Sequence, residues 1–236
     1  MLGIVVALPV EGKTLHGGTL QVGQTVSLSP AILLRISGMG PQRALAAATA
    51  LRQKGAVALM SWGCSAALTP ALHAGDLLLP ERFVMPGGES ARSDRAWRQR
   101  LAERLRTLTP LHTVPLAGSD AILATSDDKQ HLQRQTGAAA ADMEAAFLAR
   151  WAKRSAMPFV AIRSISDCAR TGLPTAVQAA TDDHGDIDLL KLIHHIACHP
   201  GQIPSLIRLS RQFGRARNRL LQAAEALRPN GFYLPC

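Results

Sequence analysis

MEAAFLARWAKRSAMPFVAIRSISD, residues 143–167, decides the architecture of this chain. Its first half sets Met143, Phe147, Leu148 and Trp151 at helical spacing, which predicts an amphipathic helix over 143–155. Its second half, 158–165, is a short apolar run entered through a proline, and reads as the most deeply buried strand of the sequence. A helix feeding a fully buried strand is the repeating unit of a mainly parallel sheet covered on both faces.

The same alternation runs upstream. Segments 2–8 and 31–36 read as strands, and 42–54 as an alanine-rich helix entered through the turn Ser37-Gly38-Met39-Gly40 with Pro41 at its start. Strands are expected at 56–61, 76–79 and 111–116, a charged surface helix at 93–105, and a further helix at about 127–135. The expected fold is therefore α/β, with a central mixed, mainly parallel sheet flanked by helices. Ligands in such folds sit beyond the carboxyl ends of the strands. After Asp167 the pattern changes. Residues 171–188 look like loop, followed by helices at 187–198 and about 203–227, separated by His199-Pro200-Gly201. No repeat and no linker divides the chain, so 1–236 reads as one domain, with 183–236 a basic helical extension packed on or beside it.

Composition narrows the function classes. With 47% hydrophobic and 18% charged residues, the 236-residue chain can bury a full core and is not disordered. Its apolar runs reach about eight residues, far short of the ~20 that span a bilayer. Residues 3–10 follow Met1-Leu2 with no positive flank, so they read as a strand and not a signal peptide. Cys64, Cys168, Cys198 and Cys236 form no CxxC pair, as expected of reduced thiols in the cytoplasm. The net charge is +9, and from Lys191 onward there are seven basic residues against one acid, Glu225. Such a surface attracts anions. Aromatics are only 4% of the chain, which argues against nucleic acid held by base stacking. In the last helix Arg208, Arg211, Arg215, Arg217 and Arg219 stand beside Leu206, Ile207, Leu209, Phe213, Leu220 and Leu221. That face could lie on anionic lipid at the inner side of the membrane, or pack on the domain with its arginines in water.

Three acids fall at expected strand ends: Glu11, Glu144 and Asp167. Each alone has an ordinary explanation: Glu144 with Asp142 favouring a helix N-terminus, Asp167 capping a turn, Glu11 solvated in a loop. His194, His195 and His199 lack the intervening carboxylate of a zinc helix, so no metal site is read there. Cys64 has no neighbouring base to activate it and reads as a small packed thiol.

Together, Gly3–Glu11, Ser37-Gly38-Met39-Gly40, Trp62–Leu68 followed by Gly75-Asp76, Asp142-Met143-Glu144-Ala145 and Pro158–Asp167 make a sequence of motifs. Over about residues 2–169 it resembles the nucleoside phosphorylase and nucleosidase superfamily, which contains purine nucleoside phosphorylase and methylthioadenosine/S-adenosylhomocysteine nucleosidase. Beyond it, Ser166-Asp167-Cys168-Ala169, Leu173-Pro174, Asp183-His184-Gly185-Asp186 and the segment 199–209 are similar to the hopanoid-associated phosphorylase family. That family is associated with removing adenine from adenosylhopane.

The resemblance implies an enzyme that breaks an adenine nucleoside's N-glycosidic bond, most closely adenosylhopane nucleosidase. The rival is a methylthioadenosine/S-adenosylhomocysteine nucleosidase, and the rival of another class a non-catalytic nucleoside- or lipid-binding module. It also implies site roles. Asp167 would donate a proton toward purine N7, with Ser166 orienting it. Glu144 would bind ribose hydroxyls and stabilise the ribosyl cation, with Met143 against the sugar. Ile122 and Leu123 would flank the base, and Cys64 and Ser65 would line the site. Glu11 matches the acid with which nucleosidases activate water. Where phosphorylases carry an arginine and a serine to clamp phosphate, Ser61 and Cys64 stand here, which favours hydrolysis over phosphorolysis. Lys13, Arg35 or Arg43 could still supply a phosphate site. No metal or organic cofactor is implied, with inorganic phosphate the one conceivable co-substrate, and a homodimer is expected.

Overall fold

A computed structural model of the chain describes residues 1–174, 177, 200–228 and 232. The expected helix at 187–198, the histidines at 194, 195 and 199, and Cys198 and Cys236 lie outside the described residues. The strands are β1 (Leu2–Val6), β2 (Thr25–Ser29), β3 (Ile32–Ile36), β4 (Ala58–Ala67), β5 (Leu77–Leu78) and β6 (Arg82–Val84). They continue with β7 (Ser90–Arg92), β8 (Leu111–His112), β9 (Leu116–Gly118), β10 (Ala140–Asp142) and β11 (Phe159–Asp167). The helices are α1 (Pro9–Gly12), α2 (Pro41–Gln53), α3 (Arg95–Leu105), α4 (Ser126–Thr136), α5 (Ala145–Arg154) and α6 (Ile203–Leu227).

The strands join in a mixed sheet centred on β4, which pairs in parallel with β1 and β11 and antiparallel with β10. From β1 the sheet continues to β3 and β2, and from β10 through β9 to β6 and β7. Alternate residues of β4 and β11 feed two cores. Leu59, Ala161 and Ile165 meet α2 and α5 on one face, while Met60, Trp62, Val160 and Ile162 meet α3 and α6 on the other. The α/β reading with a mixed, mainly parallel sheet between helices is the fold found.

Several boundaries differ from the sequence reading for physical reasons. The expected strand 56–61 runs on to Ala67, because Gly63 adopts an extended-type conformation and the ladder to β11 continues to Ala66. The expected strand 111–116 is two strands with different partners, interrupted just before Leu116 by Pro115, which has no N–H for a ladder. Strands β2, β6, β7 and β10 were not expected. The last is an alanine run, a composition that on propensity alone suggests helix. The helix expected from Met143 starts at Ala145 instead, because the Asp142 Oδ1 carboxylate accepts from the N–H groups of Glu144 and Ala145 at 3.3 and 3.0 Å.

The C-terminal half of α6 belongs to the core: Ala216, Leu220, Ala223, Ala224 and Leu227 are buried against β11 and α3. Arg219 donates to the carbonyls of Gly75 and Thr109 at 3.0 and 3.2 Å, and Arg228 to that of Leu15 at 2.7 Å. The packed alternative therefore describes this half. The other half presents Ile203 and Ile207 to solvent, 43% and 46% exposed.

Candidate active site

β4 carries a gap in its pairing. On one edge β1 pairs with it as far as Trp62, and β10 only from Ala66. Between them the Cys64 N–H donates to Glu11 Oε1 at 2.7 Å, while Glu11 Oε2 accepts from Leu8 N at 3.1 Å and so caps its own helical turn. The turn is pinned from below, since Trp62 Nε1 donates to Thr14 Oγ1 and that hydroxyl donates to the Glu11 carbonyl. A methyl group at Gly63 would stand 2.9 Å from the Glu11 carboxylate, so only glycine admits this approach. Burial raises the Glu11 pKa, against the two backbone N–H groups and the Arg163 charge that lower it. Burial, then the Glu11 charge, holds the half-buried Cys64 thiol well above its ordinary pKa, consistent with an unreactive thiol.

Arg163, in the middle of β11, is a buried cation of the site. Its Nε donates to Asp142 Oδ2 at 2.6 Å, Nη2 to Ser61 Oγ at 2.6 Å and Nη1 to the Ile162 carbonyl at 3.1 Å. Burial works against its charge, yet Asp142, Glu144 and Glu11 around it keep its pKa above the ordinary value. A guanidinium thus does stand at Ser61, with every nitrogen engaged. Among the other cations considered for phosphate, Lys13 is exposed, Arg35 donates to Thr25 Oγ1 at 2.7 Å, and Arg43 packs against Gly38.

Glu144 points away from the helix it precedes. Its Oε1 accepts at 2.8 Å from the N–H of Gly40, held at φ 92° in the glycine turn. Burial first, then the Asp142 charge, pushes its pKa from 4.5 to about 8, partly offset by the Gly40 hydrogen bond and Arg163. Between those values the folded protein keeps a proton that the unfolded chain releases, so this group's contribution to stability falls as pH rises. Glu144→Gln therefore gains thermal stability on the parent as pH is raised from about 5 to about 8. A difference that stays flat over that range in thermal unfolding overturns the assignment.

Asp167 ends β11 with its side chain 16% exposed. Ser166 Oγ lies 2.7 Å from Asp167 Oδ1 and 3.2 Å from the Ser65 carbonyl. The Lys129 ammonium donates to Asp167 Oδ2. Asp167 also raises the pKa of Cys64, as Glu11 does, and Glu11 that of Glu144. The three acids named from the sequence are thus electrostatic neighbours around one strand end. Cys64, Met143 and Ser166 are half-buried among them, and the buried Ser65 Oγ has no hydrogen-bond partner among the described residues. Ile122 and Leu123 are half-buried in the segment between β9 and α4, Leu123 against the apolar cluster that holds Leu68, Leu132 and Ala141. A cavity opens beside Asp167 between Thr171 and Pro174 on one wall and Ser205, Arg208 and Gln212 of α6 on the other.

Two residues of this network escaped sequence reasoning. Arg163 had a signal, since a lone charge inside the most apolar strand requires a buried partner. Lys129 had only a faint one, sharing one face of the polar helix α4 with Leu132 and Thr136.

The superfamily profile described as the phosphorylase superfamily matches residues 8–192. No curated protein sequence matches the chain. Among solved structures, futalosine hydrolase of Helicobacter pylori superposes with a TM-score of 0.67 at 15% identity, covering 96% of this chain and 94% of its own. The 5′-methylthioadenosine/S-adenosylhomocysteine nucleosidase of Neisseria meningitidis, in complex with methylthio-immucillin-A, gives 0.66 at 18% identity over 94% and 96%. The corresponding nucleosidase of S. pneumoniae gives 0.65 at 19% over 96% and 99%.

Proposed function

The chain belongs to the phosphorylase superfamily, and within it we propose that it hydrolyses the N-glycosidic bond of an adenine nucleoside, adenosylhopane, to adenine and ribosylhopane in hopanoid biosynthesis. The carrying observation is the gathering of Glu11, Glu144 and Asp167 around one strand end, with Arg163 buried between the first two. Asp167 protonates the departing purine at N7. Glu144, with Met143 beside it, holds the ribose and faces the charge that develops on it, while Ile122 and Leu123 flank the base. Glu11 accepts a proton from the attacking water. Proton transfer of either kind is worth roughly 10²–10⁴-fold.

Water is favoured over phosphate by charge. A phosphate dianion entering beside the Glu11 carboxylate meets like charge, and the nearby guanidinium already serves Asp142 and Ser61. The apolar 5′ group is favoured by α6, whose Arg208 reaches the cavity beside Asp167 and whose Ile207 and Ile203 are exposed about one and two turns before Arg211. Such a surface suits a lipid-linked nucleoside offered at an anionic membrane. No helix among the described residues is long and apolar enough to cross one.

The salvage alternative, action on methylthioadenosine or S-adenosylhomocysteine, is favoured by the near-complete overlap with nucleosidases of that specificity. Adenine release from adenosylhopane in vesicles, from methylthioadenosine and from S-adenosylhomocysteine, each with and without phosphate, separates the readings. Adenosylhopane is expected to be preferred, more so in anionic vesicles, with no need of phosphate. Preference for the small thioethers overturns the lipid substrate, and a phosphate requirement overturns hydrolysis.

A further inference from the structure

Lys129 is the one buried ammonium described in the site, 1% exposed on the inner face of α4. Removing an ammonium from water is strongly unfavourable unless partners replace its hydration. Here all three of its N–H donors are taken: by Asp167 Oδ2, by the Cys168 carbonyl at 2.9 Å and by the Thr171 carbonyl at 2.8 Å. These acceptors belong to the end of β11 and the turn after it, so one side chain fixes both the Asp167 carboxyl and the backbone that carries it. Neither Asp167 oxygen is left to wander, since Oδ1 faces Ser166.

Resting on the hydrolytic reading above, we propose that Lys129 is the positioning residue of the general acid. It holds Asp167 by Oδ2, leaving Oδ1 to carry the proton, and it stabilises the carboxylate formed when that proton leaves. The Oδ1 proton passes to purine N7, and the C1′–N9 electron pair goes to the base. Water bonds to C1′ and loses its proton to Glu11, and exchange with solvent resets both carboxyls. The single hydrogen of Ser166 Oγ has two acceptors in reach, Asp167 Oδ1 at 2.7 Å and the Ser65 carbonyl at 3.2 Å. It points to Ser65 while Oδ1 is protonated and to Oδ1 once it is ionised. The ammonium opposite is in place to hold the carboxylate that remains after the proton has been given up.

The test compares two leaving groups. Adenine needs the proton; a 4-nitrophenyl riboside with the same 5′ group does not, because nitrophenolate departs as a stable anion. Lys129→Met, near in length and without charge, lowers kcat for the adenine nucleoside by about 10²-fold, the cost of a misplaced catalytic group, while KM changes little. Its loss on the nitrophenyl riboside is much smaller. Asp167→Asn shows the same selectivity, and the double variant K129M/D167N, which buries no unpaired charge, loses no more than D167N alone. Equal losses on both substrates, or full additivity, reduce Lys129 to a structural residue. Should K129M fold poorly, the double variant against D167N carries the comparison. If the parent releases no adenine, the hydrolytic reading fails and this assignment with it; release by the parent with K129M unaffected overturns the assignment alone.

Discussion

Glu11→Gln lowers adenine release in phosphate-free buffer by at least about 10²-fold, the usual worth of a general base. The change is close to isosteric, and the Cys64 N–H still finds an oxygen at 2.7 Å. The amide nitrogen then faces the Leu8 N–H, which donates to Oε2 at 3.1 Å in the parent. One unsatisfied backbone donor costs about 1–3 kcal/mol, so a modest fall in melting temperature accompanies the loss. The informative arm adds phosphate. If water is the nucleophile, phosphate restores nothing. If phosphate is the nucleophile, removing the carboxylate relieves the repulsion and E11Q becomes as fast as the parent or faster in phosphate. That result would reverse the choice of hydrolysis while leaving the rest of the site intact. Because burial raises the Glu11 pKa, the base form is gained at higher pH than for an ordinary glutamate. The acid limb of the rate profile shifts upward accordingly, and E11Q removes it.

What was legible in the sequence was the part encoded locally. Glu11, Glu144 and Asp167 stand next to strand ends, and short apolar runs with a proline or glycine turn mark those ends well. The helix α6 was read to its observed ends, because a 25-residue stretch has room for its apolar stripe to show. Illegible were the features that depend on who lies alongside. β10 is an alanine strand made only by its neighbours β4 and β9. The Ser61 position, compared from sequence with an arginine elsewhere in the superfamily, receives its guanidinium from β11, 102 residues further along. Lys129 meets Asp167 across 38 residues. Asp142 was read as a helix-favouring charge and does accept from the first N–H groups of α5, but its second oxygen serves Arg163. One carboxylate doing both is a three-dimensional fact that spacing does not carry.

Arg163→Met is the substitution expected to damage stability most. It deletes the one cation among Asp142, Glu144 and Glu11 and leaves Asp142, 3% exposed in its side chain, without its ion pair. Breaking a buried pair from one side costs about 3–5 kcal/mol, which for a chain of this size is roughly 6–20 °C in melting temperature at about 2–4 °C per kcal/mol. The sign with pH follows from the same charges. Without the guanidinium, which lowers the pKa of both Glu11 and Glu144, these two carboxyls take up protons more readily in the folded state, so the deficit grows as pH rises and shrinks as it falls. Arg163→Lys keeps the charge but not the fork that reaches Asp142 and Ser61 together, and is expected to lie between parent and Met. Adding Asp142→Asn to R163M removes the orphaned charge, so the double variant loses less than the two singles summed. Chemical denaturation of the five proteins (parent, R163M, R163K, D142N and R163M/D142N) at two pH values decides it. A loss for R163M within about 1 kcal/mol of the parent, or strict additivity with D142N, would mean that the acids tolerate one another without Arg163, and that the site is held by its backbone hydrogen bonds instead.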